Sequence, residues 1–488
     1  MPPLLTTLVQ LGGLQLVLAS SALVRNKVLA ERLGADGFGM FAQLAAVASL
    51  AATIAAFGFG MALKRHAAGA AGHDAQQALL AFANRATLQT GGMLVTLAAL
   101  WLMVAHQPLA PLGLEEPGVT ARWTAAVLIA FVPLQALLMQ RVGFLAGLKD
   151  VRGMARGRAV AVVAVTLVGI PVVWHYGLLA AGLQAVALAA AAVFALNARL
   201  RKLGFDPWRV RTNTHPERGL VRLGVASLAA GFAVAGADVI LRTAIIGTLS
   251  VAAGGHYQAG MALTLQLREA VLGSVGLLSI VGFTGARGVG ERQATFKRLM
   301  DAAVPAAAVA FGTLAAFGRP LLTLLYSDAF APAAVLLPGL LAGEFLTVAA
   351  WALAGPVLAE HATRAWLTFE LAASGTRLTA GLILLEIAGL AGVGWAYTAA
   401  AATHALLLAA YVAWRGWLRI PVTQAVSVLI GSAAVVAAAQ LPLAQTHAWA
   451  AWAAWAVPLT FAFASSYQSG GLHRTWTSVR QKTFARGA

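Results

Sequence analysis

Fourteen runs of apolar residues, each long enough to cross a bilayer, occupy most of this 488-residue chain. They lie near residues 4–24, 39–62, 79–105, 121–140, 159–177, 178–198, 223–248, 256–283, 299–318, 332–358, 365–388, 391–414, 421–441 and 446–466. Few folds are open to such a chain. Hydrocarbon offers no partner to backbone N–H and C=O groups, so each run must satisfy its own as an α-helix. Only 10% of the residues are charged, against about 25% in a soluble domain. The expected fold class is an all-α polytopic membrane protein with about 14 transmembrane helices.

The basic residues sort by connection. Of the 34 Lys and Arg, only Arg25, Lys27, Arg32, Arg122 and Arg319 fall in odd-numbered connections, while Arg242, Arg268 and Arg377 fall at or within runs. The rest, including the clusters from Arg141 to Arg158 and from Arg199 to Arg222, lie in even-numbered connections and the C-terminal tail. Connections that keep Lys and Arg face the cytoplasm, which puts both termini there. Membrane topology thus accounts for the net charge of +17, and nucleic acid is not an expected partner. The absence of cysteine excludes disulfides and thiolate chemistry. The first run follows no basic segment and is longer than a signal-peptide core, so it reads as an uncleaved span.

The organisation expected along the chain is an N-terminal lobe over 1–200, a cytoplasmic linker over 201–222, a C-terminal lobe over 223–414, an extra span pair over 415–466 and a basic cytoplasmic tail over 467–488. The linker is turn-rich, with Pro207, Asn213 and Pro216. Lys64 to Asn84 reads as a cytoplasmic amphipathic helix. The halves share a weak repeat: Arg25, Gly39 and Phe41 align with Arg242, Gly255 and Tyr257 through one gap. Repeats that start on the same face are related by an axis along the membrane normal, the plan of two pseudo-symmetric lobes around a central cavity.

Charges inside spans are the candidates for function, because a mid-span cation costs about 2.5 to 3.5 kcal/mol unless it meets a cavity or a partner. Arg268 and Arg377 lie nearest the middle of their spans. Each faces either an anionic ligand or a structural acid on a neighbouring helix, with Glu344 available. Glu269 follows Arg268 directly but points about 100° away, and Glu370 lies about 10 Å along the axis from Arg377. Arg242 has Asp238 four residues earlier on its own face. The acids Asp238, Glu269, Glu344 and Glu370 are open to proton or cation coupling or to structural pairing. Gln135 and Gln266 can hydrogen-bond sugar hydroxyls or join helices. Pro133, Pro171, Pro305, Pro338 and Pro356 are expected to kink spans. Gly285 to Gly290 is glycine-rich but follows a span, so it does not read as a nucleotide loop. No catalytic constellation, cofactor or metal site is expected.

The segment Arg25-Asn26-Lys27 through Leu33-Gly34-Ala35-Asp36-Gly37-Phe38-Gly39, followed by Phe57-Gly58 leading to Lys64-Arg65, resembles the N-terminal signature of bacterial polysaccharide flippases. These belong to the multidrug/oligosaccharidyl-lipid/polysaccharide (MOP) exporter superfamily, together with multidrug extruders and lipid II flippases. The resemblance implies a V-shaped two-lobed carrier with alternating access, moving a polyprenyl-diphosphate-linked glycan across the bacterial inner membrane for lipopolysaccharide or exopolysaccharide export. It implies no enzyme activity. Arg25, Arg242, Arg268 and Arg377 would bind the anionic head group. Membrane lipids, polysaccharide polymerase machinery and H⁺ or Na⁺ are the partners this implies. A lipid II flippase and a cation-coupled multidrug extruder are the alternatives on the same fold.

Overall fold

The computed structural model describes residues 2–115, 118–210, 218–284, 286, 288–360, 362–444 and 448–468. Parts of the expected linker (211–217), the glycine-rich turn (285 and 287) and most of the basic tail (469–488) lie outside the described residues.

Among the described residues the chain is all-helical apart from short turns, as the apolar runs require. In order the helices are α1 (Pro2–Ala55), α2 (Phe59–Gly69), α3 (His73–Val104), α4 (Gly118–Gly147), α5 (Val151–Tyr176), α6 (Leu178–Lys202), α7 (Arg218–Thr248), α8 (Val251–Thr284), α9 (Val289–Leu325), α10 (Leu337–Ala359), α11 (Thr363–Trp414), α12 (Val422–Ala444) and α13 (Ala448–Gln468). Ten helical segments among the described residues are long and apolar enough to cross a membrane. One of them, Thr363–Trp414, carries two of the expected spans, and Val17–Gly69 carries the second expected span with the end of the first.

Both double-length helices break at glycine. Gly34 adopts φ 65°, ψ −173° in α1 and Gly389 adopts φ 57°, ψ −139° in α11. A side chain disfavours that positive-φ backbone, so the Leu33-Gly34 pair and Gly389 mark where one span hands over to the next. Within the helices φ/ψ leaves the helical region at Gly34, at Gly389 and at Phe317, which lies three residues before Pro320, while Pro133, Pro171, Pro305 and Pro356 lie inside α4, α5, α9 and α10. The Lys64 to Asn84 segment is not one amphipathic helix. It is cut between α2 and α3, where Gly72 takes φ 93°, and its residues Gln77 and Asn84 are buried.

Contacts divide the chain into two compact units, residues 1–258 with 325–330, and residues 259–324 with 331–488. The boundary at residue 258 lies within α8, and α7 packs along α1 and α2. In the first unit Leu44, Ala48, Ala52, Leu128, Val132 and Ile246 form one core, and Phe59, Leu63, Leu80, Phe144, Leu196 and Phe205 another. The glycines paired by the internal repeat, Gly39 and Gly255, lie against each other: a Cβ on Gly39 would stand 2.7 Å from the Gly255 nitrogen. In the second unit α10 is the buried centre, flanked by α11 and by the α12–α13 pair, with the Phe345 ring 6.5 Å from Phe311 and 6.3 Å from Phe461.

The connection after α6 is tied down. Arg141, fully buried in α4, donates to Asn84 Oδ1 (2.7 Å), Asn197 Oδ1 (2.8 Å) and the Pro207 carbonyl (2.7 Å). Asn84 donates to the Pro207 and Arg209 carbonyls, and Gln77 exchanges two hydrogen bonds with the Asp206 backbone. Arg141 is therefore a buried structural cation, not the cytoplasmic-loop cation that the charge pattern implied.

Candidate functional sites

The first unit contains a half-open cavity of about 490 Å³. Arg25, Asn26 and Phe41 reach it from α1, Gln135 from α4, Arg158 from α5, Gln184 from α6, Asp238 and Arg242 from α7, and Gln258 from α8. Arg25 and Arg242, aligned by the repeat, thus line one space. Arg158 joins them, although its place in a basic stretch read as a connection.

These arginines differ in their counter-charge. Arg242, 5% exposed, pairs with Asp238 at 3.1 Å, and its guanidinium carbon lies 4.9 Å from the Tyr257 ring centre. The Tyr257 hydroxyl donates to the other Asp238 oxygen at 3.0 Å. The i,i+4 spacing already indicated this pair. Arg25 and Arg158 have no ion-pair partner among the described residues. The Gln184 side-chain nitrogen is buried with no acceptor. A cavity with two uncompensated guanidinium groups and several amides is chemically suited to an anion bearing hydroxyls.

The second unit gathers Arg268, Arg377, Glu269 and Glu344 differently. Tyr397 is the hub. Its hydroxyl donates to Glu344 Oε1 at 2.6 Å and accepts from Arg268 Nη1 at 3.3 Å, and Arg377 lies 5.8 Å from its ring centre. Arg268 reaches Glu344 at 3.5 Å across two helices. It also comes within 3.6 Å of Glu269, a neighbour that helical geometry had set aside; two long side chains fold back to meet despite their divergent Cβ directions. Gly343 makes room for the hub, since a Cβ there would stand 2.5 Å from the Tyr397 ring. Glu344 is fully buried, and its second oxygen has no hydrogen-bond partner. Glu370 faces His404 at 4.0 Å, a residue from the far half of the bent α11. Gln266 is in this unit, with its carbonyl oxygen buried and unpartnered.

Tyr397, Arg158 and Gln184 carried little sequence signal. A tyrosine in an apolar run reads as an interfacial residue, an arginine at a run's end as a loop cation, and a lone glutamine as a helix-to-helix bond. Among the described residues no cluster of His and acidic side chains could hold a metal ion.

No family model matches the sequence, and no curated protein matches it. Its fold matches solved membrane transporters. The lipid II flippase MurJ, in an inward closed conformation, superposes with a TM-score of 0.72 at 10% identity, covering 96% of this chain and 100% of that one. An inward-facing multidrug resistance MATE family transporter of the MOP superfamily gives 0.66 at 14% identity, covering 82% of this chain and 94% of that one. A MOP superfamily transporter from Pyrococcus furiosus, described by the reverse polarity of its binding pocket, gives 0.57 at 14% identity, covering 83% and 94%. The chain has the fold of MOP superfamily transporters and is a multi-pass membrane protein.

Proposed function

We propose that this chain is a MOP-type flippase that carries a polyprenyl-diphosphate-linked oligosaccharide from the cytoplasmic to the periplasmic leaflet of a bacterial inner membrane. The observation that carries the reading is the first-unit cavity, where Arg25 and Arg158 have no acid to neutralise them among the described residues. Moving a sugar diphosphate through hydrocarbon requires counter-charge and hydrogen bonds along the way, since each unsatisfied polar group costs several kcal/mol. Guanidinium groups supply forked donors for phosphate oxygens. Gln135, Gln184, Gln258 and Asn26 supply amides for sugar hydroxyls, and the polyprenyl tail stays in the bilayer. Arg242 shapes the same wall while holding Asp238.

The second unit takes a different part. Glu344 and Glu269, with Arg268 and Arg377 as internal counter-charges, form the site for H⁺ or Na⁺ coupling, with Asp238 and Glu370 as further acids that can exchange protons. Release of Glu344 from Arg268 and Tyr397 would free the Arg268 guanidinium to bind an anion. Outward movement of two negative charges through 100 mV, inside negative, supplies about 4 to 5 kcal/mol in addition. The exported glycan then becomes available to polymerase machinery outside. A lipid II flippase would use the same cavity chemistry for another glycan. A multidrug extruder would need free acids in the cavity, whereas Asp238 there is engaged by Arg242 and Tyr257.

The test is leaflet-resolved export of labelled polyprenyl-diphosphate oligosaccharide in cells lacking their own flippase. The intact chain should restore export, and Arg25→Gln or Arg158→Gln at matched abundance should lower it by about tenfold or more. Failure of the intact chain across several glycan types, with extrusion of cationic drugs instead, overturns the proposal.

A further inference from the structure

A second polar pocket, of about 480 Å³, opens where the start of α5 meets the end of α6. Its charged lining is Arg152, Arg156, Arg199 and Lys202 against the single acid Asp150. That acid is already occupied. Asp150 caps α5 by accepting from the Gly153 N–H and binds Arg199 through both oxygens, at 2.6 and 3.0 Å. Arg156 and Lys202 consequently have no carboxylate partner among the described residues, and both are exposed.

Helical spacing connects this basic pocket to two apolar stripes. On α5, Val160 lies one turn beyond Arg156 on the same face, and Leu167 two turns beyond that; they are 70% and 65% exposed. On α6, Ala198 and Phe194 precede Lys202 at four-residue steps, and Leu183 continues the face; Phe194 is 75% exposed. A cationic head region with bare aliphatic and aromatic side chains running from it into the span has the layout of a lipid, phosphate at the basic end and acyl chains along the helices. The basic connections place this end at the cytoplasmic leaflet.

We propose that the α5–α6 pocket binds the headgroup of an anionic glycerophospholipid of the cytoplasmic leaflet. Arg156 and Lys202 contact its phosphate, and its acyl chains lie on the Val160–Leu167 and Phe194–Leu183 stripes. The site also bears on the cavity, because Arg158 stands two residues after Arg156 and points to the opposite side of α5. A lipid seated on one face fixes the rotation of the helix that presents Arg158 on the other.

Native mass spectrometry of the full detergent-solubilised chain tests this without any transport readout. With phosphatidylglycerol and phosphatidylcholine offered at equal concentration, phosphatidylglycerol should be retained selectively. Arg156→Gln with Lys202→Gln should weaken that retention by about tenfold or more and leave phosphatidylcholine unchanged. Ala198→Phe, which fills the pocket and removes no charge, should do the same. Soluble glycerol phosphate at millimolar concentration should not compete. Equal retention of the two lipids, retention unaffected by the double substitution, loss in the charge variant alone, or competition by glycerol phosphate would each overturn the proposal.

Discussion

The two units spend the same residue type in opposite ways. In the first, Arg25 and Arg158 line a cavity with no ion-pair partner among the described residues, and the one described acid there, Asp238, is held by Arg242 and Tyr257. In the second, Arg268 meets Glu344, Glu269 and the Tyr397 hydroxyl within one cluster. An arginine inside a span is therefore not in itself a ligand site. Its counter-charge decides whether it is open to an anion or already paired within the fold.

Removing an arginine should accordingly have opposite consequences in the two units. The largest effect on folding belongs to Arg268→Leu, which strands the buried Glu344 and should cost about 3 to 5 kcal/mol. Thermal unfolding in detergent measures it, and Arg268→Leu with Glu344→Leu should recover most of the loss. Unchanged stability in the single variant would break the comparison. Next is Gly343→Val, which pushes the Tyr397 ring from Glu344 and should destabilise by about 1 to 3 kcal/mol through overpacking. In the first unit, Arg25→Gln or Arg158→Gln should weaken head-group binding by about 2 kcal/mol, read by titration with a polyprenyl diphosphate. The smallest effect sharpens the contrast most: Arg25→Gln should shift unfolding stability by less than about 0.5 kcal/mol, since no partner is left stranded. A large loss there would mean that Arg25 is structural.

Much of the fold was legible because hydrocarbon imposes it. The apolar runs lie on helices, and the Leu33-Gly34 turn and Gly389 fall where adjoining runs meet. The sites were legible only where partners sit on one helical face, as with Asp238 and Arg242. Arg141 and Arg158 escaped because helices outlast hydrophobic runs: α4 is 30 residues long, where about 20 suffice to span, so cations placed in a connection turned out to belong to the helix. The Arg268–Glu344–Tyr397 cluster joins residues 53 to 129 positions apart, and no periodicity in one sequence encodes which faces of different helices will meet.

The break at Gly34 has a consequence for anyone who edits this chain. Because α1 runs from Pro2 to Ala55 with one non-helical residue and no loop, it contains no slack to absorb an insertion. One added residue after Gly34 would turn everything downstream by about 100° and advance it by about 1.5 Å. Gly39 would swing off Gly255 and Phe41 out of the cavity together. An epitope tag or spacer belongs elsewhere, for the bend acts as a fixed gear tooth between helix packing and the cavity wall, and skipping one notch disengages both.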